Sequence, residues 1–577
     1  MSKAVRRTDE LRRVLALPRR GREDLEALAD DMTALLKRPG GTMRLRPLQA
    51  LALRDICENG GGVCPLGVGE GKTLLSLLIP FVLDSRTPVL LLPAGLVENA
   101  QRARATLMQH WLIPKHMRII SYELLGRVAS AKSLEEYQPD LIVADEVHRL
   151  KNLKAACTRR VARHMAASPS TVFIPMSGTM MRDSVLDFAH LLWWSMKMGT
   201  PLPINREELE DWASALDEPK KQRPGFETTR TEPGALLDFC SEEERKNDDV
   251  TAARLGFRRR LNETPGVVSS THDGERVDCS IYIRGIVPKY NAITDDHFRK
   301  LRGDARDPFY PGWERPDGKL FEQGVEVWAC ARQLAAGLHY EWSPPPPDAW
   351  MAARKAWSSY VRGVLSRSRT YDSPNEVATA ILDGRMKDEG GVLAAWRAIR
   401  DTFRPNSVAV WHDDSIIKLA SDWGKTPGII WTEHSLFGRR LAKETGLHYY
   451  GRKGLNSDGQ YIEDGDPKRA IIASIDANRD GKNLQHKWHR NLIISPPDGP
   501  DVWQQTIART HRSGQKADEV TVDVVLGCKE HVGAWRTALA GAEAIRDTVG
   551  GAQKLLLADV SFPSDEEIAS WKGFRWQ

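Results

Sequence analysis

Three short stretches of this 577-residue chain combine residue types that can act on a phosphate. The first is Leu66-Gly67-Val68-Gly69-Glu70-Gly71-Lys72-Thr73, where glycines run into a lysine and a hydroxyl. Glycine at 67, 69 and 71 lets backbone N–H groups turn inward without Cβ clashes, which makes an anion cradle. Glu70 lies inside the same loop. Lys72 would then reach the outer phosphates of a nucleotide, and the Thr73 hydroxyl would hold Mg2+. The strict form of such a loop has glycine at position 66, where this chain has leucine.

The second stretch, Leu141-Ile-Val-Ala-Asp145-Glu146-Val-His148, delivers adjacent carboxylates at the end of an apolar run. Open α/β sheets bind ligands at that end of their strands. Asp145 is expected to hold Mg2+ through water, and Glu146 to polarise an attacking water. The third stretch carries Gln505, Arg509 and Arg512 at i, i+4 and i+7. On a helix running from Trp503 all three would share one face. A guanidinium aimed at a terminal phosphate stabilises charge in the transition state. Between the second and third stretches, Met176-Ser177-Gly178-Thr179 sets small hydroxyl residues after another apolar run, where they could couple the phosphate site to a second lobe.

These residues need elements to hold them. From about 44 to 200, short apolar runs alternate with amphipathic segments, the signature of a parallel sheet covered by helices. Strands are expected at 61–64, 88–92, 118–121, 141–144 and 171–174, and helices at 73–83 and around 101–110. After Pro405 the alternation returns, with strands at 428–431, 469–472, 491–494 and 520–525 and a helix around 437–444. The organisation expected is therefore an N-terminal basic helical segment (1–40), a first α/β lobe (41–200), an insertion or linker (201–404), a second lobe (405–545) and a mostly helical tail (546–577). The insertion has the Pro344–Pro347 run and many glycines and tryptophans, and its topology is not legible.

Composition narrows the class. A net charge of +5 is small for this length and neither requires nor excludes a nucleic-acid partner. Arg6, Arg7, Arg12, Arg13, Arg19, Arg20 and Arg22 make one basic cluster and Arg258, Arg259 and Arg260 another, each expected to be a solvated face. Seven scattered cysteines without a CxxC pair fit a reducing compartment and speak against a disulfide framework or a zinc ribbon. No apolar run suggests a signal peptide or a membrane span, so an intracellular, membrane-free protein is expected.

Taken in order, the motifs resemble superfamily 2 helicases and translocases, most closely the Swi/Snf-type DNA-dependent ATPases. Leu45-Arg46-Pro47-Leu48-Gln49 is similar to the family's adenine-reading glutamine motif. Gly69-Glu70-Gly71-Lys72-Thr73 resembles motif I, Pro93-Ala-Gly95 motif Ia, and Ser121-Tyr122-Glu123 a segment that tracks a nucleic-acid strand. Asp145-Glu146-Val147-His148 resembles motif II in its DEVH form, Gly178-Thr179 motif III, and Thr432-Glu433-His434 motif IV. Gly481-Lys482-Asn483-Leu484 falls at motif V, and Gln505 to Gln515, ending Arg-Ser-Gly-Gln, at motif VI. The sequence departs from the family at Met180-Met181-Arg182, where a proline and a polar pair are usual, and at Arg479, where motif V has a glycine.

The resemblance implies an α/β fold of two RecA-like parallel-sheet lobes, with a large, mainly helical insertion between them and a short N-terminal helical segment. It implies ATP and Mg2+ as cofactors. The nucleotide would meet Gln49, Gly67, Gly69, Glu70, Gly71, Lys72, Thr73, Gly481 and Gln505, with Lys72, Asp145, Glu146, Arg509 and Arg512 as the catalytic set. Ser121, Tyr122, Thr432 and Asn483 would touch nucleic acid. The activity implied is ATP-driven movement along duplex DNA through sequence-independent phosphate contacts. An RNA helicase, an ATP-gated clamp that recruits a protein partner through 201–404, and a translocase subunit of a restriction or defence system are the competing readings.

Overall fold

Short apolar runs make most of the strands, and amphipathic segments between them make the helices. The computed structural model describes residues 3–21, 23–67, 69–181, 184–219, 230–270, 277–368 and 370–577. Arg22, Val68 and Arg182 lie outside the described residues. The chain divides into two compact units, residues 1–276 with 540–556, and residues 277–539 with 557–577.

Unit 1 holds strands β1 (Pro88–Leu92), β2 (Arg118–Ser121), β3 (Leu141–Asp145) and β4 (Val172–Met176), all parallel in the order β2-β1-β3-β4. The stretch expected as a strand at 61–64 forms only single bridges. Val63 pairs with Val267 and Cys64 with Met176, so the chain entering the glycine loop is held between β4 and the 264–270 segment. Alternation along the strands feeds two cores. Val89, Leu91, Ile142, Ala144 and Phe173 point to one, and Leu90, Leu92, Leu141, Val143 and Ile174 to the other. A parallel sheet buried on both faces needs this near-continuous apolar composition.

The basic clusters are solvated only in part: Arg6, Arg7, Arg12 and Arg19 are exposed, whereas Arg13, Arg20 and Arg258–Arg260 are drawn into the fold. Arg7 pairs with Asp238 at 2.7 Å, and Arg13 donates to the carbonyls of Met198, Thr200 and Leu202. Arg20 pairs with buried Asp55 and donates to the Val267 carbonyl. Arg258 donates to the Arg546 carbonyl, Arg259 pairs with Glu244, and buried Arg260 donates to the carbonyls of Leu17 and Pro18. Arg13, Arg20 and Arg260 thus act as clamps that tie the helix Asp9–Ala16 and the segment after it to the rest of unit 1.

Unit 2 holds β5 (Ser280–Ile286), β6 (Leu338–Trp342), β7 (Ser407–Trp411), β8 (Ile429–Thr432), β9 (Tyr449–Tyr450), β10 (Ile471–Ser474), β11 (Arg490–Ile493), β12 (Glu519–Val525) and β13 (Asp559–Ser561). Seven of them form a parallel sheet in the order β13-β5-β12-β11-β8-β10-β9, while β6 and β7 make a separate antiparallel pair. The span 201–404 is thus divided. Its first part, to 276, groups with unit 1, and its second part supplies β5, which pairs with β12 over seven residues. Trp350 and Trp357 are buried in that second part. All seven cysteines are free. Among the described residues no helix is long and apolar enough to cross a membrane.

Candidate functional site

The helix Lys72–Val82 begins at the end of the glycine loop, so its unpaired N–H groups and dipole face that loop. Gly69 and Gly71 take φ of +98° and +75°, a region that side chains rarely adopt. At Gly71 a Cβ would fall 2.1 Å from Gln49 Nε2, so any other residue must both take a left-handed backbone and displace Gln49. Gln49 lies on the helix Pro47–Asn59 and is buried; its Nε2 donates to the Glu70 carbonyl at 3.2 Å, and its Oε1 accepts from the Arg46 N–H at 3.0 Å. Arg46 in turn donates to the Gly69 carbonyl at 2.9 Å. The glutamine motif therefore grips the glycine loop through two side chains.

The other motifs of unit 1 converge on this loop. Lys72 is buried, and its ammonium donates to the carbonyls of Leu66 and Gly67, both at 3.0 Å. A Cβ at Gly178 would stand 3.0 Å from the Leu66 carbonyl oxygen, which places the third motif directly against the loop. Asp145 ends β3 and its Oδ1 accepts from the Glu146 N–H at 2.9 Å. Burial, then the neighbouring Glu146 carboxylate, push the Asp145 carboxyl up to about 6, against the pull of Lys72. Glu146 itself sits in the left-handed region at φ 50° and ψ 48°, an uncommon conformation for a residue with a side chain. Its Oε2 lies 3.3 Å from both Ser177 Oγ and His148 Nδ1. Ser177, Thr179 and His148 contact one another at 3.3–3.4 Å, closing a small polar ring around that carboxylate.

These features fit a nucleotide with Mg2+. The cradle is one that a Cβ would fill, the loop is backed by a helix N-terminus, and Thr73 stands partly exposed at that helix's second residue. Among the described residues no group of three or more His, Cys, Asp or Glu converges as a metal site. A Mg2+ ion would thus take most of its ligands from phosphates and water, as this ion usually does, with Thr73 and Asp145 as the protein's share.

Two residues that bond the loop, Arg46 and Ser270, stand outside the expected site residues. Arg46 is legible only as part of the glutamine motif. Ser270, two hundred residues from the loop, accepts the Gly67 N–H on its hydroxyl at 2.9 Å. The segment bearing it follows the Val63–Val267 bridge, with the Ser270 N–H on the Pro65 carbonyl. A non-local strand pairing puts it there, and nothing in the local pattern announces that.

In unit 2 the fifth and sixth motifs pack on each other. The helix expected to carry Gln505, Arg509 and Arg512 on one face spans only Pro500–Ile507. Arg509 is buried past its end, with Nε on the Gln505 carbonyl and Nη1 on the Lys482 carbonyl, both at 2.9 Å. It satisfies the Gln505 carbonyl at the helix C-terminus, where a cation is also favoured by the dipole, and ties it to the Lys482 backbone. The chain then turns, and Gly514 takes φ +87°. Arg512 is half-buried and donates from Nη1 to exposed Asn483 Oδ1 at 2.6 Å. Gly481 takes φ +63° ahead of Lys482, whose ammonium pairs with Glu463 at 3.0 Å. Gln505 is buried.

The four expected nucleic-acid contacts divide. Ser121 and Tyr122 are buried; Ser121 Oγ caps the Leu124 N–H, and the Tyr122 hydroxyl donates to the Asp145 carbonyl at 2.7 Å. Thr432 is buried with its hydroxyl accepting the His434 N–H. In this structure these three serve internal bonds, and Asn483 alone of the four is exposed.

No family model and no curated protein matches this chain.

Proposed function

We propose that this chain is an ATP-dependent DNA translocase or helicase of superfamily 2, nearest the Swi/Snf-type ATPases, built on two RecA-like lobes. The observation that carries the reading is the convergence of separated motifs on one loop. Gln49, Lys72, Gly178 and Ser270 all touch the 66–71 backbone, and Asp145 feels the charge of Lys72. That backbone offers N–H groups and a helix N-terminus to an anion, with a cation and two carboxylates beside it.

In the proposed cycle Lys72 moves from the Leu66 and Gly67 carbonyls onto phosphate oxygens. Thr73 and Asp145 would hold the cation, which would supply charge neutralisation at the phosphates. Glu146, oriented by Ser177 and His148, accepts a proton from the attacking water. Arg512 acts as the finger from the second lobe. Arg509, bonded to the backbone of both motifs, is a positioning residue that holds the Arg512 segment. Closing and releasing the lobes would then alternate the grip on DNA.

The test is ATP hydrolysis measured alone and with duplex DNA, single-stranded DNA or RNA. Stimulation by duplex DNA supports the reading; no stimulation, or stimulation by RNA only, defeats it.

A further inference from the structure

β6 and β7 form a closed antiparallel neck, from Leu338 opposite Trp411 to Trp342 opposite Ser407, and the Ser343 N–H donates to the Asn406 carbonyl at 3.0 Å. Residues 343–406 are inserted at this neck. They fold into the helices Asp348–Arg367, Pro374–Leu382 and Val392–Ile399 around a small core of Trp357, Val361, Val377 and Leu393. The first helix is covered on one side only.

Its open side is chemically one-sided. Between Asp348 and Asp372 the chain carries five cations and no carboxylate, while residues 372–389 carry five carboxylates and two cations. Arg354, Ser358, Arg362 and Ser366 stand at four-residue steps, so they form one row, and all four are exposed. Arg354 rests over the rings of Trp342 and Trp350 at 5.1 and 5.3 Å, which holds its guanidinium in place. Lys355 has only a 3.6 Å pair with Glu322, both side chains exposed, and among the described residues Arg362 meets no carboxylate.

The helix also gives up stability beside this row. Gly363 lies inside it, where glycine is a poor helix former. A Cβ there would meet nothing closer than Arg367 Nη2 at 3.7 Å, so packing does not demand glycine. Serines and a glycine between the cations keep the surface low enough for a backbone to approach.

We propose that the open face of the helix Asp348–Arg367 is a contact surface for the phosphate backbone of duplex DNA. This rests on the DNA reading above. Arg354 and Arg362 lie about 12 Å apart along the helix, and a duplex offers a phosphate charge about every 1.7 Å of its axis. A straight, preorganised row matches that dense and regular array. The serine hydroxyls can donate to phosphate oxygens between the cations.

The experiment measures binding of a short labelled duplex by the full chain over a range of salt concentrations. For Arg354→Gln/Lys355→Gln/Arg362→Gln, the slope of log affinity against log salt should be shallower by about 2 to 3, near 0.9 for each phosphate that is no longer neutralised. A second variant, Gly363→Gln, should melt at the same or a higher temperature yet bind duplex at least threefold more weakly. A purely structural role for this helix predicts no loss of binding from it. Wild-type slope and affinity in both variants overturn the surface proposal, as does a loss confined to single-stranded RNA or to an acidic protein. If the wild-type chain itself binds no duplex, the DNA reading fails and this proposal fails with it.

Discussion

The side-chain nitrogen of Gln49 donates to the Glu70 carbonyl at 3.2 Å, and the same nitrogen would be 2.1 Å from a Cβ at residue 71. A helix that precedes the glycine loop therefore fixes the loop's tightest bend. Gly71→Ala must both adopt φ near +75° and displace Gln49. The first effect alone costs about 1–2 kcal/mol. The variant should lose nearly all ATP affinity in a titration while retaining its far-ultraviolet circular dichroism. Unchanged affinity would show that the bend is dispensable.

Lys72→Ala and Arg512→Ala should each abolish turnover, but for different reasons. On the proposed reading the first removes the cation that would meet the ground-state nucleotide, so ATP binding should weaken sharply. The second removes transition-state charge, a loss of about 10³-fold or more, with ATP affinity largely kept. Equal loss of affinity in both would count against the finger role.

Arg509 and Arg512 should separate in stability. Arg509 is buried and bonded to the Gln505 and Lys482 carbonyls, so Arg509→Ala strands buried acceptors at about 1–3 kcal/mol. Its melting temperature should fall by several degrees. Arg512, half-buried on exposed Asn483, should melt like the wild type when truncated. Melting curves of the two variants decide this.

Ser270→Ala removes the acceptor of the Gly67 N–H. A lost hydrogen bond of this kind is worth about 1 kcal/mol, so ATP affinity should drop about fivefold, and Ser270→Thr should restore it. An unaltered affinity for the alanine variant would make the bond incidental.

A pH dependence follows from three linked imidazoles. His412 joins His297 through Nδ1 at 3.1 Å and His339 through Nε2 at 2.7 Å. His297 Nδ1 and His339 Nε2 are buried without a partner. Burial lowers all three, and with the His297 charge lowers His412 to about 4. Lys300 and Asp296 face His297, while Glu341, Asp317 and Arg315 face His339. A histidine whose folded pKa is lowered stays neutral in the fold and takes up protons on unfolding. Its stabilisation is present above about 6.5 and is lost as pH falls from there toward 4. The melting temperature should therefore drop between pH 7 and pH 5, and drop less in His412→Gln. An equal drop in both would remove the imidazole chain as its cause.

The strands that position the site are legible in the sequence because each is a short, wholly apolar run, as in Val89–Leu92 and Leu141–Ala144. β5 is not, because its charged and glycine neighbours hide a strand whose partner, β12, lies more than two hundred residues on. Strand preference depends on such partners more than on the residues themselves. The glycine loop and the acidic pair stand out by residue type, whereas Ser270 reaches the loop only through tertiary pairing. Spacing misleads at Arg509 and Arg512. A helical period carried across Thr510 predicts one shared face, but the helix stops at Ile507, and the Arg509 side chain turns back onto the Gln505 carbonyl.

The division of the chain into units has a practical edge. Residues 540–556 group with the first unit, and Ile545 lies in the same core as Val161, Phe188 and Phe257. The backbone thus passes from one unit to the other at three places, near 276, 539 and 556. No single scissile bond yields two intact halves. A fragment ending near 276 leaves an apolar socket open to water, and a fragment beginning there carries the matching plug with nowhere to bury it. Dissection of this protein into lobes therefore calls for co-expression or circular permutation, not simple truncation.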